Sequence, residues 1–584
     1  MKYSTIPAAQ SVVDHCKANA LTNIVISPGS RNAPLIIAFT EDPYFNCFSI
    51  VDERCAAFFA LGIAQQQRKP VALVCTSGSA VVNYYPAVTE AFYSDIPLVI
   101  LSADRPFYMV DIGDGQTIRQ NGVFNTHIGY ATHLKLDAIH ATDKIKAYAP
   151  QLLSSGTPEA CQAAIQQYND TELNRAFRVL RDTEQPVHIN IPFEEPLYNI
   201  QRTKTVHTSI EIGCKKPIET NESLAEFSTI WNTSAKKMVL IGTLNPDSIE
   251  AHYLEKLGGD PSVLVFTETT SNVHHPHFFP SIDSIIAPIE KSTEKEELFK
   301  KLQPEVLLTF GGLIVSKKIK AFLRQYQPKA HWHVHEYRAN DTFFSLTKHF
   351  KRNINSFLSD FLKGVEDYES TYFSYWNKVK LDYEQKRKHY VATIPFSDMS
   401  VFNSVLQSIP DAYQLQLANS STVRYSQLFP IAPSVQVYCN RGTSGIDGST
   451  STAIGSAWYA KTPTLFITGD LSFFYDSNGL WNRYIRSDFR IILINNQGGG
   501  IFRILPGKED TARFETFFET THTLDASQLC AMHKIAYYRA DNSTELSSIL
   551  DVFYTESGQP KLLEIHTPRL INNKILLGYF DFIS

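Results

Sequence analysis

Two short stretches, Gly469-Asp470-Leu471-Ser472 and Asn495-Asn496-Gln497-Gly498-Gly499, carry residue types suited to binding a metal. Each follows an apolar run, Thr464-Leu465-Phe466-Ile467-Thr468 and Arg490-Ile491-Ile492-Leu493-Ile494, that reads as a buried strand. The segment between them, Phe473 to Arg486, is long enough for one helix, so the spacing predicts a strand–helix–strand unit. In such units the carboxyl ends of the strands open onto the ligand crevice. A carboxylate from Asp470, an amide oxygen from Asn496 and the carbonyl of Gly498 make a hard, oxygen-only set. That set suits Mg²⁺, or Mn²⁺, with coordination positions left for phosphate oxygens. Either stretch alone reads as an ordinary strand-end turn; together, at this spacing, they favour a metal site.

A second chemical element lies far upstream. Val51-Asp52-Glu53-Arg54 opens a segment of helical composition, with Asp52 as a plausible N-cap and Glu53 in the first turn. A lone glutamate there usually does no more than complement the helix dipole. Four arginines, Arg31, Arg105, Arg424 and Arg441, fall at expected strand ends or in Gly/Ser-rich loops rather than on helix faces. One such arginine reads as a surface ion pair. Four converging on a crevice suit a polycarboxylate, because the guanidinium fork grips carboxylates bidentately.

Elements must position these groups, and the chain is long enough to supply them. Its 584 residues exceed what one core serves and suggest three or four domains. With 43% hydrophobic and 19% charged residues the composition is that of an ordinary globular protein. A net charge of −5 gives no basic face for nucleic acid. The eight cysteines form no CxxC pair and read as reduced thiols, the first ten residues lack a signal-peptide pattern, and no apolar run reaches the ~20 residues of a membrane span. The expectation is a cytoplasmic enzyme.

From Thr22 to Pro192, strands (Asn23–Ile26, Val71–Cys75, Pro97–Leu101, Val187–Ile191) alternate with helical segments, which argues for a parallel sheet covered on both faces. A polar stretch from Gln201 to Ser223 reads as a linker. A smaller α/β section follows, with strands Met238–Gly242, Ser262–Phe266 and Val306–Phe310 and no dinucleotide fingerprint. Lys351 to Tyr390, dense in charge, reads as exposed helix, and Pro395-Phe396-Ser397-Asp398 starts the helix that opens the last α/β section. His331, His333 and His335 alternate and would share one strand face, a geometry zinc can use. No fourth ligand is suggested nearby, so they read as structural, as does His274-His275-Pro276-His277.

The paired stretches resemble the metal–diphosphate motif of thiamine diphosphate enzymes, usually Gly-Asp-Gly followed by Asn-Asn, with Leu471 in place of the second glycine. Ser27-Pro28-Gly29-Ser30-Arg31, Asp52-Glu53-Arg54, Ala103-Asp104-Arg105-Pro106, Gly115-Gln116-Thr117-Ile118-Arg119-Gln120 and Asn440-Arg441-Gly442-Thr443-Ser444-Gly445-Ile446-Asp447-Gly448 occur in order with it. Together they resemble the 2-succinyl-5-enolpyruvyl-6-hydroxy-3-cyclohexene-1-carboxylate synthases of menaquinone biosynthesis, which also carry leucine after Gly-Asp. The likeness is strong in the first and last domains and weak in the middle one.

That resemblance implies three α/β domains with parallel sheets: a pyrimidine-binding domain (1–198), a middle domain (199–350), a helical connector (351–394) and a diphosphate/Mg-binding domain (395–584). It implies decarboxylation of 2-oxoglutarate on thiamine diphosphate and addition of the succinyl carbanion to isochorismate. Glu53 would activate the cofactor through its aminopyrimidine ring. The other cofactor residues would be Ser444, Ile446 (wedged beneath the bent cofactor), Gly469, Asp470, Leu471, Ser472, Asn496, Gly498, Ile501 and Phe502, with Asp470, Asn496 and Gly498 on the metal. Ser420, Arg424 and Arg441 would hold the succinyl carboxylate, and Ser30, Arg31, Arg105, Gln116 and Lys317 isochorismate. Gly115 and Lys318 depart from the residues common in relatives, asparagine and arginine. Family layout implies a homo-oligomer, a dimer or a dimer of dimers, with sites shared between subunits. The competing readings are another thiamine diphosphate carboligase or decarboxylase, and a non-catalytic thiamine-fold regulatory subunit. The loop arginines count against a small neutral acceptor, and retention of Glu53, Asp470 and Asn496 counts against a degenerate subunit.

Overall fold

The computed structural model describes residues 2–153, 156–214, 222–504 and 511–584. The chain forms two compact units, each drawn from several stretches of sequence.

The first unit takes Met1–Lys216, Asp447–Lys461 and Asp476–Arg486. Its centre is a six-stranded parallel sheet of β1 (Asn23–Ile26), β2 (Asn46–Ser49), β3 (Val71–Cys75), β4 (Leu98–Asp104), β5 (Tyr130–His133) and β6 (Val187–Pro192). The strands run in the order β2-β1-β3-β4-β6-β5. The aliphatic runs that predicted strands form its middle, buried on both faces as parallel sheets require. One face packs Ile24, Val74, Leu101 and Ile189 against Val12 and Cys16 of helix Pro7–Ala18 and Leu173 and Phe177 of helix Pro158–Thr183. The Glu53–Gln67 helix lies against the Ser449–Tyr459 helix at backbone distance. A Cβ on Gly62 would stand 2.1 Å from the Thr452 carbonyl oxygen, and one on Gly455 2.1 Å from that of Phe59.

Two expectations are corrected here. The stretch after Gln201 is no free linker: Gln201 pairs antiparallel with Tyr3, and the N–H groups of Thr205, Ser209 and Glu211 donate to Gln10, Asp170 and Asn174. Polar side chains on the covering helices supply acceptors that composition does not reveal. Residues 215–221 of that stretch lie outside the described ones. Nor does Phe473 to Arg486 form one helix. A short helix, Asp470–Tyr475, is followed by a 3₁₀ turn, Ser477–Leu480. Asp476 turns inward instead and accepts from the Ser451 N–H (2.7 Å), the Ser451 hydroxyl (3.1 Å) and the Cys55 thiol (3.5 Å). Burial pushes its carboxyl up to about 6.

The second unit takes Pro217–Ile446, Thr462–Tyr475 and Ser487–Ser584 and contains two parallel sheets. One is five-stranded: β7 (Lys237–Ile241), β8 (Val263–Phe266), β9 (Val306–Phe310), β10 (Ala330–Val334) and β11 (Leu346–Phe350), in the order β8-β7-β9-β10-β11. The other is six-stranded: β12 (Gln414–Leu417), β13 (Gln436–Cys439), β14 (Thr464–Gly469), β15 (Arg490–Asn495), β16 (Ala536–Ala540) and β17 (Lys561–His566), in the order β13-β12-β14-β15-β17-β16. The α/β architecture with parallel sheets is thus as the sequence predicts. The helix Tyr372–Thr393 is not the exposed rod its charge density suggests. Tyr372, Trp376 and Tyr383 recur at helical spacing and are buried. Lys380, on the same face, donates to the carbonyls of Pro276 (2.6 Å) and Phe278 (2.9 Å). Among the described residues no helix is long and apolar enough to cross a membrane.

Candidate active site

β14 and β15 are hydrogen-bonded neighbours, so Asp470 and Asn496 leave adjacent strands at the same edge. Asp470 is 3% exposed. Its Oδ2 accepts the Gly498 N–H at 2.9 Å, its Oδ1 accepts the Leu471 N–H at 2.7 Å, and His522 Nε2 stands 3.3 Å from Oδ2. Gly498 takes φ +150, and a Cβ there would press to 2.8 Å from the Glu519 carbonyl oxygen, so only glycine lets the loop close on Asp470. Glu519, itself buried, is gripped by Arg503 and by Arg569 at 2.6 Å. The Asn496 amide donates through Nδ2 to Asp398 Oδ2 at 3.0 Å, while its Oδ1 is buried and accepts nothing among the described residues. A buried acceptor left unsatisfied is costly unless a ligand completes it.

A hard cation fits that arrangement: a carboxylate and an amide oxygen close together, one without a partner. The surroundings also fit a diphosphate. A Cβ on Gly469 would meet no atom within 4 Å, so neither backbone nor packing demands glycine there, and open space lies at the strand end. The Ser472 hydroxyl donates to the Ile446 carbonyl (2.7 Å), tying the turn after β14 to the segment that carries Ser444 and Ile446. Ser444 holds a left-handed φ of +62. Ile446 is 38% exposed, unusual for isoleucine in a loop anchored this firmly. Leu471, Ile501 and Phe502 are half-buried beside the same loop, with Phe502 meeting Phe518 edge-on.

In the first unit, Asp52 caps its helix by accepting the Cys55 N–H (3.1 Å) and also accepts from Asn478 (2.8 Å). Capping is therefore done by Asp52, and the half-buried Glu53 carboxylate takes no hydrogen bond from a described residue. It lies near the end of β3, where its charge adds to the burial that raises the Cys75 thiol and the Tyr84 hydroxyl.

The arginines divide between the units. Arg31, 4% exposed, donates to the Phe193 carbonyl (2.9 Å) and to Glu195 (3.2 Å). Burial lowers it from its ordinary value and the nearby charge of Arg105 adds to that, opposed by Glu195 and Glu194. Arg105 donates to the Gly115 carbonyl (3.1 Å), on the loop that presents an exposed Gln116 at φ +54; Ser30 is exposed as well. In the second unit Arg441 donates to Asn419 Oδ1 (2.6 Å), and Asn419 in turn holds the Asn440 and Gly445 carbonyls. Arg424 corrects one expectation, since it sits on a helix, Ser421–Ser426, directly after Ser420. That helix is so short that Arg424 still stands just beyond β12. Burial lowers Arg424, Asp283 opposes the shift, and the field of Arg441 adds to it, so two guanidinium groups share one neighbourhood. Lys317 is exposed at the first position of helix Lys317–Gln325. Lys320, in the next turn, is half-buried; burial lowers its ammonium, and the charges of Arg441 and Arg424 reach it.

The alternating histidines are committed to the fold. Thr309 Oγ1 lies 2.9 Å from His331 Nε2 and 2.8 Å from His333 Nδ1, and His335 Nδ1 accepts the N–H groups of Tyr337 and Arg338. Burial pulls His331 down to about 4 and His333 to about 3, holding both neutral. No cluster of metal-ligating side chains is found there or elsewhere among the described residues.

Residues 6–127 match the family described as thiamine pyrophosphate enzyme, N-terminal TPP binding domain. Over its whole length the chain is similar to proteins named 2-succinyl-5-enolpyruvyl-6-hydroxy-3-cyclohexene-1-carboxylate synthase. It is 51% identical to that of Christiangramia forsetii and 50% to that of Flavobacterium johnsoniae, with all of both chains covered in each case. It is 36% identical to that of Porphyromonas gingivalis, covering 100% of this chain and 98% of the relative. The chain belongs to the 2-succinyl-5-enolpyruvyl-6-hydroxy-3-cyclohexene-1-carboxylate synthase family. It is accordingly a thiamine diphosphate enzyme.

For this synthase-family chain, sequence reading named the residues at the strand ends and missed those that hold them. Asp398 reads only as a helix start, although it fixes the Asn496 amide. Asn419 and Glu268 give no local signal either. Glu268, fully buried, accepts the N–H groups of Val315 (2.7 Å) and Ser316 (2.8 Å) just before the Lys317 helix. The contacts that matter here, Asp398 with Asn496, Asn419 with Asn440 and Glu268 with Ser316, span 98, 21 and 48 residues, beyond the reach of any motif.

Proposed function

We propose that the chain catalyses the thiamine diphosphate-dependent decarboxylation of 2-oxoglutarate and joins the succinyl unit to isochorismate, giving 2-succinyl-5-enolpyruvyl-6-hydroxy-3-cyclohexene-1-carboxylate and CO₂. The observation that carries this reading is the buried, unpartnered Asn496 oxygen beside Asp470 in a chain alike over its full length to synthases of that name. The divalent ion is Mg²⁺ or Mn²⁺, held by Asp470, Asn496 and the Gly498 carbonyl. When bound, thiamine diphosphate supplies the electron sink that loss of CO₂ from a 2-oxo acid requires.

The remaining work falls to side chains. Glu53, spared from capping, hydrogen-bonds the aminopyrimidine ring and holds a proton there. Ile446 forms the apolar wedge; Ser444, Gly469, Leu471, Ser472, Ile501 and Phe502 line the cofactor. Arg424 and Arg441 with Ser420 bind the carboxylate that decarboxylation leaves behind, and an anion between the two guanidinium groups relieves their mutual repulsion. Ser30, Arg31, Arg105, Gln116 and Lys317 take isochorismate. The same reading divides the chain into a pyrimidine domain (1–198), a middle domain (199–350), a connector (351–394) and a diphosphate domain (395–584), and makes the enzyme a dimer or dimer of dimers.

The test is direct. Purified protein with thiamine diphosphate, Mg²⁺, 2-oxoglutarate and isochorismate should give a product of the expected mass. Turnover of 2-oxoglutarate only with some other acceptor would replace isochorismate in this reading. Sedimentation of a fully active monomer would overturn the assembly.

A further inference from the structure

We infer that Asp398 is a positioning residue for the metal, acting by fixing which end of the Asn496 amide faces the cation. The inference rests on the proposed metal role of Asn496. An asparagine side chain is nearly symmetric in shape but not in chemistry: turned by a half-rotation it presents two N–H donors where a metal needs an oxygen. Something must decide between the two orientations. Asp398 sits at the start of helix Asp398–Ser408, held by its own N–H donating to Asn572 Oδ1 (2.9 Å), with Ser397 capping the helix. Its side chain is 3% exposed. Oδ1 accepts the Thr567 hydroxyl (2.6 Å) and Oδ2 accepts Asn496 Nδ2 (3.0 Å). As a carboxylate it can only accept, so Nδ2 of Asn496 must face it and Oδ1 must face away. That Oδ1 is the buried atom without a partner.

Asp398 is thus one step removed from the cation and need not touch it. Residues in that position hold a ligand in one orientation, and their loss typically weakens metal binding by about 10–100-fold. Thr567 serves Asp398 in turn, because its hydroxyl occupies the other carboxylate oxygen and keeps Oδ2 aimed at Asn496.

The experiment is a calorimetric Mg²⁺ titration of the full-length protein with thiamine diphosphate at fixed concentration, run on a two-by-two set. Asp398→Ala in the native background should weaken Mg²⁺ about 10–100-fold. In an Asn496→Asp background the same change should cost less than about threefold, because a carboxylate presents an oxygen whichever way it turns. Should Asp398→Ala fail to fold, Asp398→Asn keeps the volume and, with one oxygen instead of two, makes Asn496 compete with Thr567. It should show a smaller loss that again vanishes beside Asn496→Asp. Equal losses in both backgrounds would mean that Asp398 acts through general stability and would overturn the inference, as would native affinity in a folded Asp398→Ala. Asn496→Ala separates this from the reading beneath it. Unchanged Mg²⁺ affinity in that variant would remove Asn496 from the metal site altogether.

Discussion

Two regions of this molecule offer metal-binding side chains, and they differ in what remains unspent. On β10 and just past its end, His331, His333 and His335 alternate, a pattern that on residue type alone is as suggestive as Asp470 with Asn496. There Thr309 and nearby backbone N–H groups engage ring nitrogens of all three. At the ends of β14 and β15 the opposite holds: Asp398 and Gly498 satisfy one side of Asn496 and of Asp470, and an oxygen of Asn496 is left over. Residue type nominates a site; surplus hydrogen-bonding capacity is what sets the proposed one apart. Glu53 obeys the same rule, since its neighbour Asp52 does the capping.

The largest effect should come from Asp470→Ala, which removes the carboxylate at the centre of the open region. Mg²⁺-dependent cofactor binding should fall below detection by calorimetry while the circular dichroism spectrum is retained. Retained affinity would erase the contrast. Glu53→Gln keeps shape and a hydrogen bond but cannot manage a proton, so turnover should drop ~10²–10⁴-fold. Cofactor affinity should change by only about 1 kcal/mol. Native-like exchange of the bound cofactor's C2 proton by NMR would reduce Glu53 to a helix-dipole partner. Arg424→Met should raise the KM for 2-oxoglutarate about 10–100-fold, the equivalent of one charged hydrogen-bonding group at ~1.5–3 kcal/mol. An unchanged KM would place Arg424 outside the substrate site.

The closed region should answer in stability instead. Thr309→Val strands two histidine nitrogens and should cost about 1–3 kcal/mol in denaturant unfolding, with normal turnover at 25 °C. His331 and His333 are held neutral, with folded values near 4 and 3 below the unfolded 6.5. Their contribution is complete above pH ~6.5 and drains away as pH falls toward 4, because the unfolded chain takes up protons first. His333→Gln should make the acid limb of the stability curve shallower. Steepening or no change would mean that the ring is not buried neutral. Zn²⁺ should bind this strand with no defined stoichiometry.

What the sequence made legible was whatever is local. Aliphatic runs announce β1, β3, β4, β6, β7, β8, β9, β14 and β15, and the positions of Asp470, Asn496 and Glu53 at strand ends and in a first helical turn follow from turns and a cap. Several shorter or more polar strands give no such signal: β2 (Asn-Cys-Phe-Ser), β12 (Gln-Leu-Gln-Leu) and β16 (Ala-Tyr-Tyr-Arg-Ala) take their place by pairing with neighbours distant in sequence. The buried aromatic stripe of Tyr372, Trp376 and Tyr383 is masked by Lys378, Lys380 and Asp382 between its members. Asp398 is invisible as a functional group because Asn496 lies 98 residues away, and no pattern in either stretch refers to the other.

The near-contact of Gly62 with Thr452 and of Gly455 with Phe59 has a practical consequence for anyone cutting this gene. The first unit is stitched from residues before 217 and two short pieces beyond 446. A fragment ending near residue 200 would strip the Glu53 helix of its partner and lay bare Ala56, Phe59 and Ile63, all now buried. It should precipitate when expressed alone and recover when a peptide spanning 447–486 is supplied in trans. Recombination with a relative should likewise succeed only when both segments come from the same parent. Here the inheritable block is a pair of helices some 390 positions apart, not a continuous run of sequence.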